Sequence, residues 1–237
     1  MIQFYAPDIE TQPVLPEGES VHCSRVLRMK EGEEIVVTDG KGHRFLCEIE
    51  QSHPVHTKVR IKEKKIEQDG RNYRLILAVA PTKNSDRMEW MVEKAVEVGV
   101  DKIVLLKCAR SERKALRPDR LLKVMISAMK QSLSTVLPQL EEVTDFKKFV
   151  EATAINSQRF FGYCSAEYPR KEFVKECKPG GEVIVMIGPE GDFTPEEVRL
   201  AVANGFEPVS FGEKRLRTET AGVFTVCAVN VINQLGS

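Results

Sequence analysis

The stretch Ile187-Gly188-Pro189-Glu190-Gly191-Asp192-Phe193-Thr194-Pro195-Glu196-Glu197 decides the fold. Residues 183–187, just before and into it, form a short uninterrupted apolar run, the pattern of a strand covered on both faces. Thr194-Pro195-Glu196-Glu197 has a hydroxyl at the cap, a proline at the first helical position and a glutamate three residues after the cap. That is a capping box, so a helix starts there. A buried strand thus ends in a glycine-bearing loop that feeds a helix at once. In open α/β sheets ligands bind beyond the carboxyl ends of the strands. Gly188 and Gly191 would let backbone groups approach a ligand; the same spacing also suits a tight turn with no ligand.

Downstream, residues 208–210 make another short strand. Phe211-Gly212-Glu213-Lys214-Arg215-Leu216-Arg217-Thr218-Glu219-Thr220-Ala221 follows and leads into a helix over residues 218–235. That helix is apolar on nearly every face, so it must be covered on nearly every face, and its entry loop is expected to be held in place. Upstream, residues 75–80, 103–106 and 160–163 read as strands. Residues 86–98 place Met88, Met91, Val92, Ala95 and Val96 on one helical face and stop at Gly99. Pro118 opens a helix to about residue 132. Strands alternating with helices predict a mostly parallel sheet.

The first 68 residues differ. Residues 35–38, 45–50 and 55–62 have β character, the last alternating as Val55, Thr57, Val59 and Ile61, and Asp39-Gly40-Lys41-Gly42 is a hairpin turn. The expected fold class is therefore α/β in two domains. A small β-barrel over residues 1–68 precedes a parallel-sheet domain over residues 72–237, with Gln68-Asp69-Gly70-Arg71-Asn72 as the linker.

The chain has 237 residues, of which 42% are hydrophobic and 30% charged, enough to bury a core without staples. Thirty-five basic residues balance 35 acidic ones, which excludes coating of nucleic acid by bulk charge but not a local basic face. No apolar run approaches a membrane span and no signal peptide is read at the N-terminus, so the expected location is the cytoplasm. Cys23, Cys47, Cys108, Cys164, Cys177 and Cys227 show no metal-ligand spacing and are expected to be reduced, with Cys108, Cys164 and Cys227 in the core. His53 and His56 read as a solvated turn, and no metal is expected.

IGPEGDFTPEE followed by FGEKRLRTETA resembles the paired motifs of the bacterial 16S rRNA (uracil-N3) methyltransferases, members of the knotted SPOUT class. The likeness extends to His22-Cys23-Ser24-Arg25-Val26-Leu27-Arg28-Met29-Lys30-Glu31-Gly32, which with the hairpin is similar to that family's PUA-like RNA-binding domain. It extends also to Glu93-Lys94-Ala95-Val96-Glu97-Val98-Gly99-Val100. The resemblance implies a C-terminal trefoil knot, a homodimer, and transfer of a methyl group from S-adenosylmethionine to N3 of a uridine in the decoding region of 16S rRNA, in the 30S subunit. It implies cofactor contacts from Ile187, Gly188, Pro189, Glu190, Gly191, Phe211, Gly212, Leu216, Thr218 and Ala221.

Uridine N3 carries a proton and is not nucleophilic until that proton leaves, so the site needs a base or a cation favouring the anion. Arg217 is the candidate for anion stabilisation, and Glu190 and Glu219 are candidate acceptors; an acid at Glu219 is also favourable simply because a helix begins there. Three basic clusters could meet phosphates: Arg25, Arg28 and Lys30; Lys58, Arg60, Lys62, Lys64 and Lys65; and the stretch from Lys107 to Lys123 containing Arg110 and Arg113. Two other readings remain at this level. One is a non-catalytic RNA-binding assembly factor on the same fold. The other is a nucleotide-dependent enzyme, disfavoured by the absence of GxGxxG and GxxxxGK[ST].

Overall fold

The structure is a computed structural model that describes residues 2–67, 70–111, 117–153, 156–165, 167–169 and 171–236. The chain divides into two compact units, one of residues 1–70 with 126–137, the other of residues 71–125 with 138–237. Residues 126–137 were expected in the second domain; they cluster with the first.

The first unit holds β1 (Gln3–Tyr5), α1 (Glu17–Val21) continuing as a π-helical turn over His22–Val26, β2 (Glu34–Thr38), β3 (His43–Gln51) and β4 (Lys58–Ile66). Its sheet runs β1-β2-β3-β4, with β1 parallel to β2 and the other pairs antiparallel. The element expected as a barrel is, in its hydrogen bonds, this four-stranded sheet plus a bridge from Val14 to Lys58. Alternate residues of β3, Phe45, Cys47 and Ile49, point inward onto Phe4, Ile9, Leu15 and Val59. The hairpin turn forms as read: Gly40 and Gly42 adopt positive φ, and the Asp39 carboxylate accepts from the amides of Lys41 and His43. The third strand begins later than its alternation suggested. Val55 is exposed because residues 53–57 are closed into a turn by Thr57 Oγ1 donating to the His53 carbonyl.

The second unit contains β5 (Tyr73–Val79), α2 (Ser85–Val98), β6 (Lys102–Lys107), β7 (Gln139–Asp145), α4 (Phe146–Ala152), β8 (Gln158–Gly162), α5 (Phe173–Glu176), β9 (Gly181–Ile187), α6 (Pro195–Ala203), β10 (Glu207–Val209) and α7 (Thr218–Leu235). The division between units falls within α3 (Pro118–Gln131). Every pairing in this unit's sheet is parallel, in the order β10-β8-β9-β5-β6-β7. The chain first runs outward from β5 to β7 and then builds the other side from β8 to β10. The central strands β5 and β9 are buried without interruption over their last five residues, as parallel strands covered on both faces must be.

Helix α2 buries Met88, Met91, Val92, Ala95 and Val96, the stripe its periodicity marks, and ends at Gly99 with φ 112°. The capping box at α6 is complete: the Glu197 amide donates to Thr194 Oγ1 and the Thr194 amide to the Glu197 carboxylate. Helix α7 packs on α2, β5 and β9 through Ala221, Gly222, Thr225, Val226 and Val229. Its other face is less covered than a helix apolar all round demands, and Val231 is exposed. All six cysteines are free; Cys164 is exposed and not in the core, because it lies past the end of β8. Burial pushes the Cys23 and Cys177 thiols up to about 11 and that of Cys47 to about 12. No described helix is long and apolar enough to cross a membrane.

The α2–α7 crossing is close because Gly222 has no side chain: a Cβ there would lie 2.6 Å from Met91 Sδ and 3.6 Å from Leu77. Gly222→Val should overpack this contact and lower unfolding free energy by about 1–3 kcal/mol, measured by urea denaturation.

Candidate functional site

Beyond the carboxyl ends of β8, β9 and β10, three loops surround a cleft of about 930 Å³. They are residues 163–165 with 167–169, 188–192 and 211–217. Each strand end is fixed by its neighbours in the parallel sheet, and the second and third loops are continued by helices α6 and α7. Thr218, the first residue of α7, is buried, and its hydroxyl donates to the Gly188 carbonyl at 3.0 Å. This bond joins two loops separated by 30 residues. The Ile187 carbonyl accepts from the Ala80 amide, which seats the same loop on the end of β5.

Ile187, Gly188, Pro189, Glu190, Phe211, Gly212, Leu216, Arg217, Thr218, Glu219 and Ala221 all line the cleft. Gly191 does not. Its carbonyl accepts from the Arg110 guanidinium, and a Cβ on it would meet Arg110 Cβ at 3.3 Å. Gly188 lines the cleft, but its missing side chain makes room for the Phe193 ring, 3.1 Å from where a Cβ would stand. The two glycines of this loop therefore admit protein rather than ligand. Gly212 is the open one: its φ is 116° and nothing lies within 4 Å of its Cβ position.

Among the three residues read as catalytic, Arg217 caps α7, is exposed, and among the described residues its guanidinium makes no hydrogen bond or ion pair. Glu219 is buried in the first turn of α7, 3.7 Å from the Arg87 guanidinium. Glu190 is exposed and accepts from the Lys83 amide at 3.4 Å.

Of the cleft residues that sequence reasoning missed, three bear on its chemistry. Arg87, in the first turn of α2, lines the cleft. Ser210 is 3% exposed and its hydroxyl has no partner among the described residues. Asp192 sits in the left-handed region with φ 62°, a strained conformation for a residue with a side chain. Burial pushes its carboxyl above the usual carboxylate range, against the Phe193 amide and the cations Arg215 and Arg110. A glycine-rich motif with an acid in it was the available signal for Asp192; nothing marked the other two.

The structure separates the three basic clusters. On β4, Arg60 pairs with Glu48, Lys62 with Glu34, Lys64 with Glu10 and Lys65 with Glu63, so four of that cluster's five cations already have carboxylate partners and Lys58 is the one without an ion pair among the described residues. In the second cluster Arg120 pairs with Glu89, Arg117 approaches Asp119, and Arg110 is bound to the Gly191 carbonyl. Arg113 lies outside the described residues. The side chains of Arg25, Arg28 and Lys30 are exposed and make no ion pair or hydrogen bond among the described residues; Arg28 has a left-handed backbone, φ 55°. No group of three or more His, Cys, Asp or Glu that could hold a metal occurs among the described residues, and the His53 and His56 rings stack 3.8 Å apart.

A cleft beyond the carboxyl ends of parallel strands is where open α/β sheets bind small ligands. A family described as an RNA methyltransferase domain matches residues 69–230, and an RNA methyltransferase PUA domain matches residues 15–60. A solved structure from Porphyromonas gingivalis, titled a probable rRNA-methyltransferase, is 39% identical with TM-score 0.95 over 100% of both chains. A Legionella pneumophila structure, titled a putative methyltransferase in complex with the bound cofactor SAM, is 28% identical, TM-score 0.87, covering 98% of this chain and 97% of that one. The ribosomal RNA small subunit methyltransferase E of Bacillus subtilis is 25% identical over 99% of this chain and 96% of its own length. The chain belongs to the RNA methyltransferase family.

Asp192 offers a pH test. A carboxyl whose folded pKa is raised ionises first in the unfolded chain, so it lowers stability as pH rises through the carboxylate range. Asp192→Asn keeps a residue that tolerates the left-handed backbone. The variant should gain stability relative to wild type as pH rises from about 3 to 7, read from denaturant midpoints.

Proposed function

We propose that the protein transfers a methyl group from S-adenosylmethionine to N3 of a uridine in the decoding region of 16S rRNA. The observation that carries this reading is the convergence of the 188–190 and 211–218 loops on one cleft with an unpaired arginine at its edge. The residues present fit the cofactor: the cleft volume lies in the range of small-molecule sites, Gly212 leaves open space, and a buried hydroxyl is unspent. Backbone groups of Gly188, Pro189, Phe211, Gly212 and Leu216 would hold it, and the trefoil knot that the resemblance implies would involve these two loops, which Thr218 ties together.

When bound, S-adenosylmethionine supplies an electrophilic methyl group on a sulfonium. Arg217 holds the uracil and stabilises the negative charge that O2 and O4 share once N3 loses its proton. A guanidinium does not serve as the base at neutral pH, so the proton passes to Glu190 or Glu219, carboxylates that line the same cleft as Arg217. Arg25, Arg28 and Lys30 contact RNA phosphates, and Arg110 orders the 188–192 loop through the Gly191 carbonyl. The rRNA is met in the 30S subunit, in the cytoplasm. The less covered face of α7 pairs with a second copy, since C2 dimers are the commonest closed assembly.

Arg217→Ala should reduce methyl transfer to small subunits by about 10²–10³, the usual loss for one preorganised donor, while cofactor affinity stays within a few fold. Arg217→Lys should rescue little, because an ammonium lacks the planar fork. Collapse of cofactor affinity with normal single-turnover methylation would reassign Arg217 to the cofactor loop. Light scattering should give twice the chain mass of 26.7 kDa, and a monomer at micromolar concentration would contradict the dimer.

A further inference from the structure

Of the buried side-chain polar atoms without a partner among the described residues, Ser210 Oγ is the one whose residue lines the cleft. Buried hydroxyls are normally paired, and an exception calls for a cause. The backbone of Ser210 leaves its side chain little freedom to find a partner elsewhere. Its amide donates to the Lys171 carbonyl at 2.8 Å, and its carbonyl accepts from the Phe173 amide at 3.0 Å. Residue 210 is thereby clamped beside Glu172 in a parallel bridge, directly after β10. Only the hydroxyl remains uncommitted.

The surroundings indicate what it would meet. Phe211, the next residue, lays its ring against Gly162, where a Cβ would stand 2.5 Å from it, and Tyr163 donates its amide to the Val209 carbonyl, so the cleft residues packed nearest Ser210 are uncharged. The charged lining residues stand further along: Glu213, Lys214, Arg215 and Arg217 later in the same loop, and Arg87, Glu190, Asp192 and Glu219 on other segments. The methionine half of S-adenosylmethionine carries an ammonium and a carboxylate, which need charged or strongly polar partners. The adenosine half is neutral, flat and rich in groups that pair with a hydroxyl. Ser210 can both donate and accept.

We propose that Ser210 recognises the adenosine half of the cofactor, and that its hydroxyl stays unpaired in the free protein at the expense of stability. This rests on the reading of the cleft as the S-adenosylmethionine site. It makes two effects of Ser210→Ala opposite in sign. Removing an unsatisfied buried hydroxyl should raise the Tm of the ligand-free protein by about 2–4 °C. Removing one neutral hydrogen bond to the ligand should weaken binding about 3–10-fold.

Full-length wild-type and Ser210→Ala proteins are compared by thermal denaturation without ligand and by calorimetry with two probes. These are S-adenosylmethionine and 5′-methylthioadenosine, which lacks the amino-acid half. A higher Tm with a similar loss of affinity for both probes is the expected result. Unchanged affinity for both probes, when wild type binds them, overturns the role of Ser210 and leaves the cofactor site standing. A loss confined to S-adenosylmethionine overturns the assignment to the adenosine half. A lower Tm overturns the idea that the hydroxyl is reserved for a ligand. Wild-type protein that binds neither probe overturns the cofactor site itself, and this inference with it.

Discussion

The buried hydrogen bond from Thr218 Oγ1 to the Gly188 carbonyl is the constraint on which the cleft depends. The loop over residues 211–217 leaves an edge strand only three residues long and carries more charge than apolar surface. Left to itself such a loop would be mobile. It is held at one end by the pairing of β10 with β8 and at the other by Thr218, which enters a helix packed across the centre of the sheet. The same bond satisfies a carbonyl at the end of β9 that no strand or helix could reach. Loss of the threonine hydroxyl would leave that carbonyl buried and unpaired, and would free both loops together.

Where the fold was legible, one signal dominated locally. The stripe of α2 has five apolar residues on one face and a glycine stop; α6 has a full capping box; β5 and β9 are unbroken apolar runs. Strand β7 and helices α1, α4 and α5 were not read. Strand β7, with the sequence QLEEVTD, is an edge strand with one open side, so its composition follows solvent rather than the sheet. Helix α4 is seven residues long and shows only Phe146 and Val150 to the core, too few for a period to stand out. Its cap, Asp145, is visible only once the strand before it is known. The 126–137 segment reads as ordinary helix and loop, and its clustering with the first unit depends on non-local hydrogen bonds such as Leu137 to Gly40.

The site was legible as two segments but not as a mechanism of packing. Spacing alone could not tell whether Gly188 and Gly191 open toward a ligand or toward Phe193 and Arg110, because the direction of a missing Cβ is a tertiary property. Arg87 has no neighbours in sequence that mark it, and Ser210, although it directly precedes the Phe211–Ala221 motif, reads only as the last residue of a strand. Charge misled for a related reason. Counting along β4 finds five cations and one acid, but a strand's electrostatic partners lie across the ladder, and there Glu34 and Glu48 neutralise it.

That cross-strand neutralisation has a consequence for any polyanion that meets the first unit. Cations already paired with carboxylates release few condensed counterions when a phosphate approaches, because the carboxylate must first be displaced. The displaceable charge is set by the uncommitted side chains, Arg25, Arg28, Lys30 and Lys58, and not by the paired cations of the β4 face. Four such contacts on a single strand correspond to a log–log salt slope of about −3, shallow beside that of proteins making six to ten phosphate contacts. Association through this unit would then survive physiological ionic strength with little loss, and discrimination among RNAs would fall to shape and hydrogen bonding rather than to charge.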